Sequence, residues 1–276
     1  MKFWSDEYVN TNGIRIHYNR TGGAKPPLLL LHGITDSGLC WTRVARALED
    51  EYDVIMPDAR GHGFSDGPET GFSIEILAED VAGLIQTLQL QRPYILGHSM
   101  GALTASVLAA SHPDVPRAIL LEDPAWRTSI AASPNNEADQ KTKPNPWLQW
   151  LLPVRAMPRE ERIAAQRARS HWVDEELEPW ADSKDQFNLA IVEHNDVDIK
   201  LRVTSWRDSV PRISCPILLV TADPERGAVV TEQVAQEAAR LWQHGEIIHI
   251  PDAGHNIRRE RFEPFMATIN NFLRQH

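Results

Sequence analysis

Cysteine is scarce in this chain. Among 276 residues only Cys40 and Cys215 occur, too few and too far apart for a disulfide framework or a zinc knuckle, so both read as buried thiols. Long apolar runs are missing too. The most apolar stretches, 28–31 and 217–220, are strand-sized, against the roughly 20 residues that cross a bilayer, so no transmembrane helix or membrane partner is expected. Positive charge is in deficit: 28 Lys plus Arg stand against 38 Asp plus Glu, a formal charge of -10. Such a field repels phosphate backbones, and no nucleic-acid partner is expected. The first residues turn acidic at Asp6-Glu7 before any apolar run, unlike a signal peptide, which makes the cytoplasm the expected location.

What is present is ordinary globular material, with 42% apolar and 24% charged residues. That composition excludes global disorder. The length suits one large domain, or one domain carrying a sizeable insertion.

Strand-like runs at 7–10 and 14–19 flank Asn12-Gly13, a pair suited to a hairpin turn. Three short apolar runs follow, 28–31, 53–56 and 94–96, without polar alternation. Strands of that kind are buried on both faces, as in a parallel sheet. Between them, Ile74, Leu77, Val81, Leu84, Ile85 and Leu88 share one helical face after Ser73, a suitable cap. The alternation continues with a helix near 100–110 and a strand at 118–121, and stops at Pro124. Composition then changes. Residues 125–212 hold Trp126, Trp147, Trp150, Trp172, Trp180 and Trp206, a Pro-rich polar patch at 133–146 and amphipathic text at 159–169, which reads as a helical insertion. The pattern resumes with a strand at 216–221, a helix near 231–242, a strand at 246–250 and a closing helix near 258–272. The expected fold is α/β: a mostly parallel central sheet with helices on both faces.

The chemistry-bearing string is Tyr94-Ile95-Leu96-Gly97-His98-Ser99-Met100-Gly101-Ala102, a strand entering a G-x-S-x-G turn and then a helix. Small residues flank the serine because a sharp strand-to-helix turn crowds the backbone. Ser99 would stand at the start of the helix, where the free N–H of Met100 can donate to a developing oxyanion.

With these motifs the chain resembles the α/β-hydrolase fold family over nearly its whole length. Leu29-Leu30-Leu31-His32-Gly33-Ile34 is similar to the family's strand and oxyanion loop, which implies Ile34 as the second oxyanion donor beside Met100. Asp58-Ala59-Arg60-Gly61-His62-Gly63-Phe64-Ser65 is similar to a family loop that organises structure, so His62 is read as structural. The family order of nucleophile, acid and histidine points to His255, in Pro251-Asp252-Ala253-Gly254-His255-Asn256, as the base. His98 is read as a variable elbow position. No His-x-x-x-His or Cys/His cluster argues for a metal.

The acid stays open among three carboxylates. Counting along the family's G-x-x-D pattern from Pro216 puts Glu225 in the acid slot, the first candidate. Asp223 lies in the same loop, and Asp123 follows the sixth strand, where some members place the acid. The resemblance implies a core of 1–124 and 213–276 with 125–212 as a cap inserted after the sixth strand. It also implies a cofactor-independent serine hydrolase cleaving carboxylic esters of small, largely apolar substrates. Lactone, carbon–carbon or perhydrolytic chemistry on the same scaffold is the alternative, and a non-catalytic ligand-binding protein a more remote one. Trp126, next to the end of the sixth strand, is the residue expected to face the pocket.

Overall fold

A computed structural model describes residues 4–69, 71–126, 146–193 and 205–276. The expected Pro-rich patch lies almost wholly outside them. Eight strands form one sheet: β1 (Ser5–Thr11), β2 (Ile14–Arg20), β3 (Pro27–Leu31), β4 (Asp53–Pro57), β5 (Tyr94–His98), β6 (Ala118–Glu122), β7 (Ile217–Thr221) and β8 (Gly245–His249). Their spatial order is β1-β2-β4-β3-β5-β6-β7-β8. β1 and β2 pair antiparallel through the Asn12-Gly13 hairpin, β2 joins β4 antiparallel, and the remaining pairs are parallel.

The helices are α1 (Thr42–Leu48), α2 (Ile74–Thr87), α3 (Met100–Ser111), α4 (Pro146–Ala156), α5 (Arg159–Arg169), α6 (Asp174–Gln186), α7 (Ala190–Glu193), α8 (Trp206–Ser209), α9 (Glu232–Ala239), α10 (Ile257–Glu260) and α11 (Phe262–Gln275). Side chains alternate along each strand, so both faces need cover. Leu29, Ile95, Ile119 and Leu219 pack into one layer with α2 and α3. Leu28, Leu96, Leu120 and Leu218 pack into the other with α1 and α11. Ser73 caps α2 as expected, its hydroxyl accepting the Ile76 N–H at 3.3 Å. The closing helix differs from its expectation. It is split at Arg261 (φ -135°, ψ 62°), which isolates the single turn α10 and its two buried arginines, Arg258 and Arg259.

The strand order positions the site. The chain runs from β3 outward to β4, then crosses back over β3 to β5. A crevice opens beyond the carboxyl ends of β3 and β5 at such a reversal. Helices α4 to α8 lie in the chain between β6 and β7, and α6 packs against α1. No described helix is long and apolar enough to cross a membrane.

Candidate active site

Ser99 sits between β5 and α3 at φ +53°, ψ -112°, a backbone that costs a non-glycine residue about 1–3 kcal/mol and persists only where its surroundings enforce it. They do so here. A Cβ at Gly97 would collide with the Gly101 carbonyl, and one at Gly101 with the Leu31 carbonyl. The Ser99 N–H donates to Glu122 O at 3.0 Å, and the Leu103 N–H donates to Ser99 O at 3.0 Å. The serine opens onto a cavity of about 290 Å³ that His255, Gly33 and Ile34 also line. Neither the Ile34 nor the Met100 N–H donates to another backbone carbonyl among the described residues, leaving both donors for a ligand.

The loop after β8 carries His255. Its Nδ1 lies 2.5 Å from Asp123 Oδ2. Asp123 is fully buried, and its two oxygens also accept the Val229 and Val230 N–H groups at 2.8 and 2.9 Å. Three donors converging on two oxygens is the acceptor pattern of a carboxylate. Glu225, the first candidate for the acid, is therefore not the partner of His255. The loop after β7 tightens into the turn Pro224–Arg226, closed by Gly227 at φ +100°, and that turn leaves Glu225 exposed. Asp223 is otherwise engaged. It accepts from His249 Nε2 and from the Asp252 N–H, both at 2.9 Å, and so ties the carboxyl end of β8 to the loop that follows.

Trp126 is also not where the sequence suggests. Its side chain is fully buried and stacks on Trp206 with centroids 5.2 Å apart, so it packs the core and does not line the cavity. The tryptophans that line it are Trp147, Trp150, Trp172 and Trp180, all from α4 to α6 and the turn before α6.

His98 is more than an elbow filler. Its Nε2–H donates to the His255 carbonyl at 2.9 Å, with the two rings 4.7 Å apart. Burial first, then the nearby Arg258 charge, pulls its pKa well below the ordinary histidine value. It is a donor that pins the loop carrying His255.

Beside the serine lies a buried ionic cluster that the sequence did not reveal. Asp36 accepts from Lys184 Nζ at 3.1 Å and Arg259 Nη2 at 3.0 Å, and Arg259 Nε donates to Glu176 Oε2 at 3.2 Å. Arg258 pairs with Glu122 at 2.9 Å. Burial alone would raise the Asp36 pKa, but Arg259, then Lys184 and Arg258, hold it far below the carboxylate range. Burial lowers the Lys184 pKa, with Asp36 opposing. Among the described residues no group of His, Cys, Asp and Glu is arranged to hold a metal ion.

A family model described as the alpha/beta hydrolase fold matches residues 26–258. The chain belongs to that family. N-formylmaleamate deformylase of Pseudomonas putida is 30% identical over 96% of this chain and 95% of its own length. The 2-(acetamidomethylene)succinate hydrolase of Mesorhizobium japonicum is 29% identical over 92% and 90%. Among solved structures, the Pseudomonas putida N-formylmaleamic acid deformylase superposes with a TM-score of 0.80 at 25% identity, covering 96% of this chain and all of the other. The enol-lactonase of Burkholderia xenovorans gives 0.71 at 26%, covering 97% and 99%.

In this α/β hydrolase the loop from Asp58 to Ser65 is structural. Asp58 accepts from the Gly38 and Phe64 N–H groups and from His17 Nδ1. Arg60 makes a buried two-point pair with Asp80 at 2.7 and 2.6 Å. His62 is fully buried, donates Nδ1–H to the Arg60 carbonyl at 3.0 Å and packs on Phe187.

Proposed function

We propose that this α/β hydrolase transfers an acyl group to water through Ser99, cleaving a carboxylic ester of a small molecule. The observation that carries the reading is the shared cavity of a serine on a strained, glycine-flanked turn and a histidine whose other nitrogen is held by a buried carboxylate. Asp123 engages Nδ1, which fixes the tautomer and leaves Nε2 to take the serine proton. Ser99 Oγ then attacks the carbonyl carbon, and the Ile34 and Met100 amides stabilise the negative charge that develops on its oxygen. His255 returns the proton to the leaving group, and a water deprotonated by the same nitrogen releases the acid. The segment 125–212, through its described helices α4 to α8, serves as a cap. Trp147, Trp150, Trp172 and Trp180 line the cavity, and through Lys184 the segment reaches the oxyanion loop.

The test is hydrolysis of p-nitrophenyl butyrate by the wild-type protein and by Ser99→Ala. Turnover falling by about 10⁴ or more is expected for loss of the nucleophile. Turnover that survives the substitution would end the reading.

A second reading, hydrolysis of an amide in a carboxylate-bearing compound, is favoured by the two near-full-length relatives, both named for N-acyl substrates carrying carboxylates. A panel of p-nitrophenyl esters against N-formyl and N-acetyl derivatives of small diacids separates the two by kcat/KM.

A further inference from the structure

The ionic cluster beside the serine has one property that its charges alone do not explain: a lysine from the helical segment is spent entirely on the oxyanion loop. Resting on the Ser99 reading above, we infer that Lys184 is a positioning residue that holds the loop carrying the Ile34 amide in its working shape. Acylation is then competent only while α6 is docked.

Lys184 is 1% exposed. Its ammonium has three N–H donors, and the structure gives it three acceptors: Thr35 O at 2.8 Å, Thr35 Oγ1 at 3.0 Å and Asp36 Oδ1 at 3.1 Å. No donor is left over for a ligand. The cluster as a whole is balanced, with Lys184, Arg258 and Arg259 against Asp36, Glu122 and Glu176. It therefore holds no surplus cation for a substrate anion, which favours positioning over binding.

What Lys184 holds is a conformation that resists forming. Thr35 has φ +66°, the left-handed region that a β-branched residue avoids. The ammonium grips both its carbonyl and its hydroxyl. The residue before it is Ile34, and the turn is closed by the Asp36 N–H donating to Gly33 O at 3.2 Å. If Thr35 relaxes to negative φ, that turn opens and the Ile34 N–H swings away from the serine.

The same cluster reaches the base. Arg259 donates to Asp36, to Glu176 on α6 and, at 3.1 Å, to Asn256 Oδ1, the neighbour of His255. One helix of the inserted segment thus holds the loops that carry the oxyanion donor and the histidine.

The experiment compares Lys184→Met, which keeps the length and removes the ammonium, with Lys184→Arg and with Lys184→Met/Thr35→Gly. p-Nitrophenyl butyrate turnover is measured beside affinity for an alkyl boronic acid, whose tetrahedral serine adduct needs the oxyanion donors. Lys184→Met should lower kcat about 100-fold, the scale of one misplaced oxyanion donor. KM should stay within about threefold on the same argument, and boronate affinity should fall with kcat. Thr35→Gly should recover part of the lost kcat, because glycine accepts φ +66° without strain; a purely structural lysine would show no such rescue. Lys184→Arg should be intermediate, since a planar fork cannot reach all three acceptors.

Wild-type kcat in Lys184→Met overturns the proposal, as does a raised KM at unchanged kcat, which would assign the lysine to substrate binding. Should Lys184→Met not fold, wild-type kcat in Lys184→Arg overturns it. Turnover that persists in Ser99→Ala would instead strike the functional reading itself.

Discussion

Asp123 and His255, 132 positions apart in the chain, meet through a 2.5 Å contact between Oδ2 and Nδ1. The carboxylate reaches the ring because Asp123 leaves β6 at φ +38°, and the Val229 and Val230 amides then hold it in place.

This pairing separates the three carboxylates experimentally. Asp123→Asn should lower kcat by roughly 10³ to 10⁴, because the amide keeps the shape but presents the wrong hydrogen-bond pattern to Nδ1. Glu225→Gln, at an exposed site, should stay within about twofold. Comparable losses in the two variants would refute the assignment of Asp123.

The tryptophans divide in the same way. Trp126→Ala empties a fully buried stack and should cost about 3–5 kcal/mol of stability. Trp150 lines the cavity and is 41% exposed, so Trp150→Ala should leave the unfolding midpoint nearly in place and move KM. Urea unfolding and steady-state kinetics on both proteins check this, and a shift in the opposite pattern would return Trp126 to the pocket.

Histidines set opposing pH dependences of stability. Burial, aided by the charge of His32, pulls His62 down to about 3. Between the ordinary histidine value of about 6.5 and that lower value the unfolded chain binds a proton that the folded one refuses, so stability falls as pH falls. The slope is about 1.4 kcal/mol per pH unit. His98 acts in the same sense. His17 does the reverse: burial lowers its pKa, but the hydrogen bond and charge of Asp58, joined by Asp6, raise it on balance. Its contribution is complete below the ordinary histidine value and fades as pH rises through the folded one. In an unfolding series from pH 4.5 to 9, His62→Gln should flatten the acid limb by about one proton, while the deficit of His17→Gln should shrink toward alkaline pH. An unchanged acid limb in His62→Gln would contradict the first half.

Much of this architecture is legible in the chain. All eight strand runs lie within two residues of their expected ends. β3 to β7 are legible because strands buried on both faces must be uninterrupted and apolar, and β1 and β2 because Asn12-Gly13 marks their hairpin. The elbow is legible for a steric reason, since only glycine fits at 97 and 101. The acid is not, because counting from Pro216 gives a position but not the turn that carries Glu225 outward. For Asp123 the sequence mark is its place directly after the sixth strand, in the carboxylate pair Glu122-Asp123, which made it one of three candidates without setting it first. The ionic cluster did leave a trace. Leu177, Trp180, Ala181 and Lys184 recur at the spacing of one helical face, and all four are buried, so a charged residue on an apolar stripe is the signal that could have found Lys184.

His98 and Glu122 are direct partners in the β5–β6 ladder, and the Ser99 N–H extends it by one more bond to the Glu122 carbonyl. Ser99 and Asp123 thus ride on adjoining rungs of one scaffold and cannot drift apart without tearing the centre of the sheet. Residues 224–227 place no group on Ser99 or His255, yet the Arg226 carbonyl backs Gly254 beside the histidine and its guanidinium lies 3.9 Å from Asp252. The exposed side chain at 225 is therefore open to recoding, while the path of the turn is held on one side by Gly254 and on the other by the two valine amides that grip Asp123.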